Sequence, residues 1–373
     1  MTTTLTAPFK NDIVGSFLRP QKLKEAREQF KQGELDQAGL TAVEDACITD
    51  LIEKEKAVGL HAVTDGEFRR SWWHLDFLWG LTGVGHYNYH QSYRFKGAKT
   101  RTDNAELVGK VAYNPDHPFF KHFQFTNQQA GPDVLAKQTI PSPTMLFRDN
   151  RSDHWPDFYD RYQDYLTDLA TAYRQTIHRF YELGCRYLQI DDTTWAFLIS
   201  KLNETKDQPE EHQKYVQLCQ DAVTVINGAL KDKPADLTIT THICRGNFKS
   251  TFLFSGGYAP VAPYLAQLNY DGFFLEYDSE ERDGNFAPLK KILNQRDQVT
   301  IVLGLITSKD GQLEDPDQVI ARIHEAAKEV PLANLALSPQ CGFASTEEGN
   351  ILTEEQQWAK LKLIKEIADA VWG

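Results

Sequence analysis

The sequence predicts a (β/α)8 TIM barrel, and three observations carry that prediction. Eight short β-like runs alternate with helical stretches along 373 residues. The chemically capable polar residues, Ser16, Glu67, Asp191, His242, Cys244, Glu276 and Cys341, fall at or just after the carboxyl ends of those runs. In a barrel these ends share one mouth, whereas an open doubly wound sheet would spread them along an edge. No repeat at solenoid spacing, no glycine-rich phosphate loop and no low-complexity linker divides the chain. Residues 1–373 therefore read as a single barrel domain, with a large insertion, 68–137, after the second strand.

Each element has its own signal. Residues 11–16 form a first strand ending in the Gly15-Ser16 turn, and Pro20 stops regular pairing. A helix over 40–58 places Val43, Ala46, Cys47, Leu51 and Ile52 on one stripe, and Gly59 closes it. Residues 61–67 are the second strand, with Asp65 and Glu67 at its end. The stretch 68–137 is too long and too aromatic for a plain connection. It carries Trp72, Trp73, Phe77, Trp79, Tyr87, Tyr89, Tyr93 and Phe95 beside His74, His86, His90, His117 and His122. It reads as an elaborated loop with a β-hairpin, covering a site. Residues 138–143 are a third strand cut off by prolines. A helix over 155–183 leads to a fourth strand, 186–192, again ending in acids. A helix over 210–230 leads to a fifth, 237–240, followed by Thr241-His242-Ile243-Cys244. Helices near Tyr264 and Leu289 and over 316–329 lead to strands 271–276, 299–304 and 334–338. A helix over 353–371 closes the chain.

The composition, 41% hydrophobic and 25% charged, is that of an ordinary globular protein. A net charge of −12 argues against a nucleic-acid binder and gives no support for an anionic membrane surface. No apolar run approaches the ~18 residues of a membrane span. The first residues lack the basic and apolar regions of a signal peptide. Five scattered cysteines, an odd number, do not make a disulfide framework. A reducing cytoplasm is expected, with thiols free to bind metal. Homo-oligomerisation stays open.

His242 and Cys244 stand two apart in extended backbone, so both side chains face the same way. With Glu276 and Cys341 they make a plausible zinc set, in which the carboxylate could be exchanged for a substrate atom. The plainer alternative is a core histidine, two buried cysteines and a surface glutamate. Zinc carrying two thiolates is electron-rich, a poor activator of water but a good holder of an incoming thiolate. That chemistry favours alkyl transfer to sulfur over hydrolysis. Glu67 and Asp191 could receive a substrate ammonium, and the Gly15-Ser16 turn could offer N–H groups to a carboxylate. The alternatives are a salt bridge from Glu67 to Arg69 or Arg70, and a helix cap for Asp191. Tyr93, Arg94, Phe95, Lys96, Lys99 and Arg101 mix aromatics with cations and could bind a donor's ring and carboxylates or a phosphate, but read first as a solvated basic loop. Trp72 and Trp73 read as packing under the long loop, with a stacking platform as the alternative.

These residues resemble the catalytic domain of cobalamin-independent methionine synthase, over nearly the whole chain and in the family's order. Val14-Gly15-Ser16 resembles its homocysteine loop, and Asp65-Gly66-Glu67 its Gly-Glu turn. Gln189-Ile190-Asp191-Asp192 resembles its Gln-Ile-Asp-Glu strand. His242, Cys244, Glu276 and Cys341 match its four zinc positions. The resemblance implies a 5-methyltetrahydropteroyltriglutamate–homocysteine S-methyltransferase-like enzyme. It implies zinc as cofactor, Val14, Gly15, Ser16, Glu67 and Asp191 as homocysteine-binding residues, and a methyl donor that is a folate or another molecule.

The departures lie on the donor side. The chain starts directly at the catalytic barrel, where full-length members carry a second, N-terminal one. Asp192-Thr193-Thr194-Trp195 replaces the family's Asp-Glu-Pro-Ala, and Phe197 stands near an expected folate-contacting acid. Met145-Leu146-Phe147-Arg148 lacks the folate-site tryptophan. The expected proton-donor histidine is missing from Gly304-Leu305-Ile306-Thr307-Ser308-Lys309. Three readings follow: methyl transfer to homocysteine giving methionine, zinc-dependent alkyl transfer to another thiol such as a coenzyme thiol, and a non-catalytic relative that binds zinc and a thiol.

Overall fold

Seven parallel strands follow one another in sequence order: Ala62–Val63, Leu135–Pro141, Tyr187–Asp192, Thr238–Ile243, Gly272–Glu276, Thr300–Ile306 and Leu335–Pro339. The computed structural model describes residues 5–89, 94–95 and 98–373. Every strand in this sheet pairs with its sequence neighbours, and in register Asp191 lies opposite His242 and His242 opposite Phe274. A flat sheet would leave its two outer strands unpaired. Here the segment 10–17 runs between them. Asp12 N–H donates to Leu337 O (3.0 Å) and Leu337 N–H to Lys10 O (2.9 Å) on one side. Phe17 N–H donates to Gly66 O (3.1 Å) and Thr64 Oγ1 to Gly15 O (2.6 Å) on the other. The result is a curled parallel sheet, TIM-barrel-like, with helices outside.

The first strand expected at 11–16 makes one β-bridge, Asn11 to Leu337. The segment is held by side chains more than by a ladder. Asp12 accepts from Lys137 Nζ (3.1 Å) and Tyr187 OH (2.8 Å) inside the sheet, all three buried. The second strand is likewise cut to Ala62–Val63, because the chain turns through Gly66 and Glu67, both with positive φ.

Burial on both faces explains the apolar strands. Leu188, Ile190, Ile239, Phe273, Leu275, Ile301, Leu303 and Leu337 pack outward under the helices, while Val14, Phe274, Val302 and Ala336 form a separate inner cluster. The helix Gln37–Ala57 starts where Asp36 accepts the Gly39 N–H, and Glu354–Trp372 starts in a capping box of Thr353 and Gln356. The helix expected over 155–183 is Tyr162–Glu182, preceded by a 3-10 turn at Trp155–Asp157 around Pro156. Several helices lacked a sequence prediction, among them two that flank strand ends. Gln21–Lys31 begins at Pro20, which opens a helix here instead of merely ending a strand. Thr194–Glu204 begins where Asp192 accepts the Thr194 N–H (2.7 Å).

The stretch 68–137 contains the expected hairpin, Thr82–Asn88 against Asp103–Ala112, and a short pair, Arg94–Phe95 with Ala98–Lys99. It also contains the helix Pro118–Ala130, which leads into the strand Leu135–Pro141. His90, Tyr93 and Lys96 lie outside the described residues. Arg101 is not a solvated loop cation: it lies against Glu347, Glu348 and the Trp72 ring. No helix among the described residues is long and apolar enough to cross a membrane.

Candidate metal centre

The strand Thr238–Ile243 ends with His242 facing inward, and Cys244 continues in extended backbone, its N–H donating to Asp192 O (3.0 Å). Cys341 arrives from beyond Pro339, at the end of Leu335–Pro339. One ligand atom from each of His242, Cys244 and Cys341 lies within 4.8 Å of the others, and all three residues are buried. The two sulfurs are 3.8 Å apart and all five cysteines are free thiols.

Glu276, wholly buried at the end of its strand, stands beside this group with Oε1 3.7 Å from His242 Nε2. The same oxygen accepts from the Arg245 N–H (2.9 Å) and from Asn247 Nδ2 (2.7 Å). Asn247 Nδ2 also reaches Cys244 Sγ at 3.4 Å.

His242 presents its two nitrogens to different partners. Nε2 lies 3.2 Å from Gln340 O, and Nδ1 lies 3.4 Å from Asp191 Oδ1. Burial alone would depress this imidazole, but the Asp191 hydrogen bond and the nearby Cys244 and Glu276 reverse that and raise it to about 9. The hydrogen bond between the Cys244 and Cys341 sulfurs lowers the Cys244 thiol and, with burial, raises that of Cys341 well above the usual range.

Glu67 reaches the same place from a strained turn, at φ +61°. Its Oε1 accepts from Arg70 Nη1 and Thr139 Oγ1, both at 3.1 Å. The expected salt bridge to Arg70 is therefore present, but Oε2 is buried and has no hydrogen-bond partner among the described residues. Burial pushes the Glu67 carboxyl up to about 7, against the pull of Arg70 and Arg19. Asp191 is not the helix cap; Asp192 fills that role. Asp191 Oδ1 instead accepts from Gln189 Nε2 (2.7 Å), which also donates to Val14 O.

A pocket of about 290 Å³ is lined by Val14, Ser16, Glu67, Trp73, Asp191, His242, Cys244, Cys341, Gly342 and Ser345. Gly15 and Glu276 stand behind this lining. Gly15 has φ +141°, and a Cβ there would lie 2.8 Å from Thr139 Cγ2. No lysine or arginine is in the lining. Two thiols, an imidazole and the Glu276 carboxylate thus converge, a donor set that fits zinc, while Glu67 beside them is paired with Arg70.

Sequence reasoning missed Asn247, Thr139, Trp73 and Gly342. Asn247 had a signal, as the polar residue closing the His242-x-Cys244 stretch. Trp73, expected only to pack, lines the pocket. Residues 304–309, at the end of the strand Thr300–Ile306, contain no histidine; Ser308 Oγ lies 3.1 Å from both Gln340 Oε1 and Gly342 O, its possible acceptors.

A family model described as the cobalamin-independent synthase catalytic domain matches residues 156–369, more than half of the chain. The uncharacterized protein YxjH of Bacillus subtilis is 48% identical over 374 residues, 98% of this chain and 95% of that protein. A crystal structure from Listeria monocytogenes, provisionally described as a vitamin-B12 independent methionine synthase, superposes with a TM-score of 0.78 at 40% identity, covering 99% of this chain and 100% of that one. A B12-independent methionine synthase from Shewanella sp. W3-18-1, in complex with selenomethionine, shares the fold at TM-score 0.70 and 18% identity, covering 97% of each chain. Family model and relatives agree: this chain belongs to the cobalamin-independent synthase catalytic-domain family.

Proposed function

We propose that this protein is a zinc-dependent methyltransferase that transfers a methyl group to the thiol of homocysteine, forming methionine. One observation carries the reading: a His-Cys-Cys group and two carboxylates, one with an unpaired buried oxygen, line a single pocket. His242, Cys244 and Cys341 would hold zinc, with Glu276 as the fourth, exchangeable ligand. Zinc held there supplies a lowered thiol pKa, so that homocysteine is present as thiolate.

The rest falls to the chain's own residues. Glu67 and Asp191 take the substrate ammonium, and the backbone of Val14, Gly15 and Ser16 takes its carboxylate. That grip aims the sulfur at the methyl carbon. The S–C bond forms as the bond from methyl to donor breaks, and the electron pair leaves with the donor. The donor is a methyl-folate or another small molecule.

We take 1–373 as one catalytic domain roofed by the 68–137 stretch, working in the cytoplasm. A coenzyme thiol without an amino group would leave Glu67 Oε2 unpaired, so the geometry favours an amino-acid thiol over alkyl transfer to other thiols.

The test is metal analysis followed by zinc X-ray absorption with and without homocysteine. Stoichiometric zinc that gains a sulfur neighbour supports the reading. Zinc with no added sulfur points to another thiol or a sequestering role, and absence of stoichiometric zinc removes the reading.

A further inference from the structure

His74 is a histidine the reaction above does not use. Its ring lies between two tryptophans, with centroids 4.5 Å from Trp73 and 5.9 Å from Trp72. It is buried, and it lines a second cavity of about 500 Å³, partly open to solvent, with Trp72, Trp73, Arg148, Asn247 and Phe254. Trp73 and Ser345 line both this cavity and the metal-centre pocket. A molecule in the larger cavity therefore abuts the thiol's place, which is where a methyl donor belongs.

The tautomer of His74 is set by its neighbour. Arg151 Nη2 lies 3.1 Å from His74 Nε2. A guanidinium has only N–H donors and keeps its charge, so Nε2 must accept. The ring proton then sits on Nδ1. Arg151 is held in place by Met145 O and Asn104 Oδ1, both at 2.8 Å, and by Asp149 at 3.4 Å. Burial, with Arg151 and Arg148 close by, keeps the ring from taking a second proton. Nδ1 is itself buried and has no partner among the described residues. A buried N–H without an acceptor is costly in a cavity wall unless something that binds there completes it.

We propose that His74 is a binding residue for the methyl donor, whose Nδ1–H, fixed as a donor by Arg151, takes an acceptor atom of a flat heteroaromatic molecule seated among the tryptophans. This rests on the methyltransferase reading. A neutral imidazole holds its proton, so His74 does not replace the histidine absent from residues 304–309. It selects and orients the donor.

The test uses the full-length, zinc-loaded chain with ¹⁵N-labelled histidines, assigned through His74→Gln. Long-range ¹H–¹⁵N spectra should show a neutral ring protonated on Nδ1, and 5-methyltetrahydrofolate, the probe, should shift that resonance. His74→Phe should weaken binding of the probe by about tenfold or more. It should leave the zinc–sulfur signal with homocysteine unchanged, and His74→Gln should recover part of the loss. A ring protonated on Nε2, an imidazolium, or wild-type probe affinity in a folded His74→Phe would overturn the assignment. A wild-type protein that ignores the probe would overturn the ligand class. Loss of the homocysteine signal in the wild type would instead remove the methyltransferase reading, leaving the tautomer result to stand alone.

Discussion

Asp191 Oδ1 stands 3.4 Å from His242 Nδ1 and lines the pocket in which the substrate ammonium is placed. On the proposed function, one carboxylate thus orients the imidazole of a candidate metal ligand and faces the substrate. The two duties are coupled: whatever moves Asp191 toward a ligand also acts on the ring that holds the metal.

Asp191→Asn is accordingly expected to weaken both functions. Zinc affinity should fall about tenfold to a hundredfold through loss of the partner to His242. Homocysteine affinity should fall as well. Competition with a zinc chelator measures the first and calorimetry on the zinc-loaded variant the second; an unchanged zinc affinity would separate the two roles.

Glu67 offers a cleaner test of amino-group recognition, since its hydrogen bonds go to Arg70 and Thr139 and none to a metal-ligand residue. Its carboxyl is raised to about 7 by burial, so it is protonated in acid and must lose that proton to meet an ammonium. Affinity for methionine, which has no thiol to titrate, should fall about tenfold per pH unit below 7 and level off above. In Glu67→Gln the profile should flatten and the affinity at pH 8 should drop. Calorimetry between pH 5.5 and 8 reads both.

Metal loading should release protons. At pH 7 the metal-free site carries a proton on His242, raised to about 9, and one on Cys341, while Cys244 is the lowered partner. Zinc requires neutral imidazole and two thiolates, so at least two protons, those of His242 and Cys341, should leave, and zinc affinity should rise with pH. Calorimetry in buffers of different ionisation enthalpy counts them.

Cys341→Ala should lose zinc and methyl transfer together while melting as a folded protein. Elemental analysis and a thermal melt decide it; retained stoichiometric zinc would remove Cys341 from the ligand set.

Gly342→Ala should keep zinc and lose amino-acid affinity. A Cβ at 342 would meet Ser16 Oγ at 2.0 Å and the Ser16 backbone N at 3.1 Å, so it displaces the turn assigned to the substrate carboxylate.

The candidate metal donors could be picked out because His242 and Cys244 share a two-residue period and each later candidate sits at or just after a strand end. The Asp191-Asp192 doublet was harder. In a strand one acid faces in and the other out, and only the register decides which. The register puts Asp191 beside His242 and gives Asp192 to the start of Thr194–Glu204. Residues 11–16 read as a strand because their pattern is strand-like; that Asp12 anchors the segment through Lys137 and Tyr187 depends on contacts more than a hundred residues away. His74 and Trp73 could not be placed, since they come from a connection whose path no periodicity describes.

The segment that closes the curled sheet also supplies the floor of the pocket, and Phe343 N–H donates to Ser16 O (2.9 Å) to seal it. Ser16 and Cys341 are thus brought together across most of the chain's length. During synthesis the site cannot exist until the ribosome has released residues beyond Cys341. The His242-x-Cys244 pair must wait, unmetallated or loosely metallated, while the remaining strands are made. On the proposed function, zinc capture and ring closure would then be one late event, and the metal would belong to the last step of folding rather than to its nucleus.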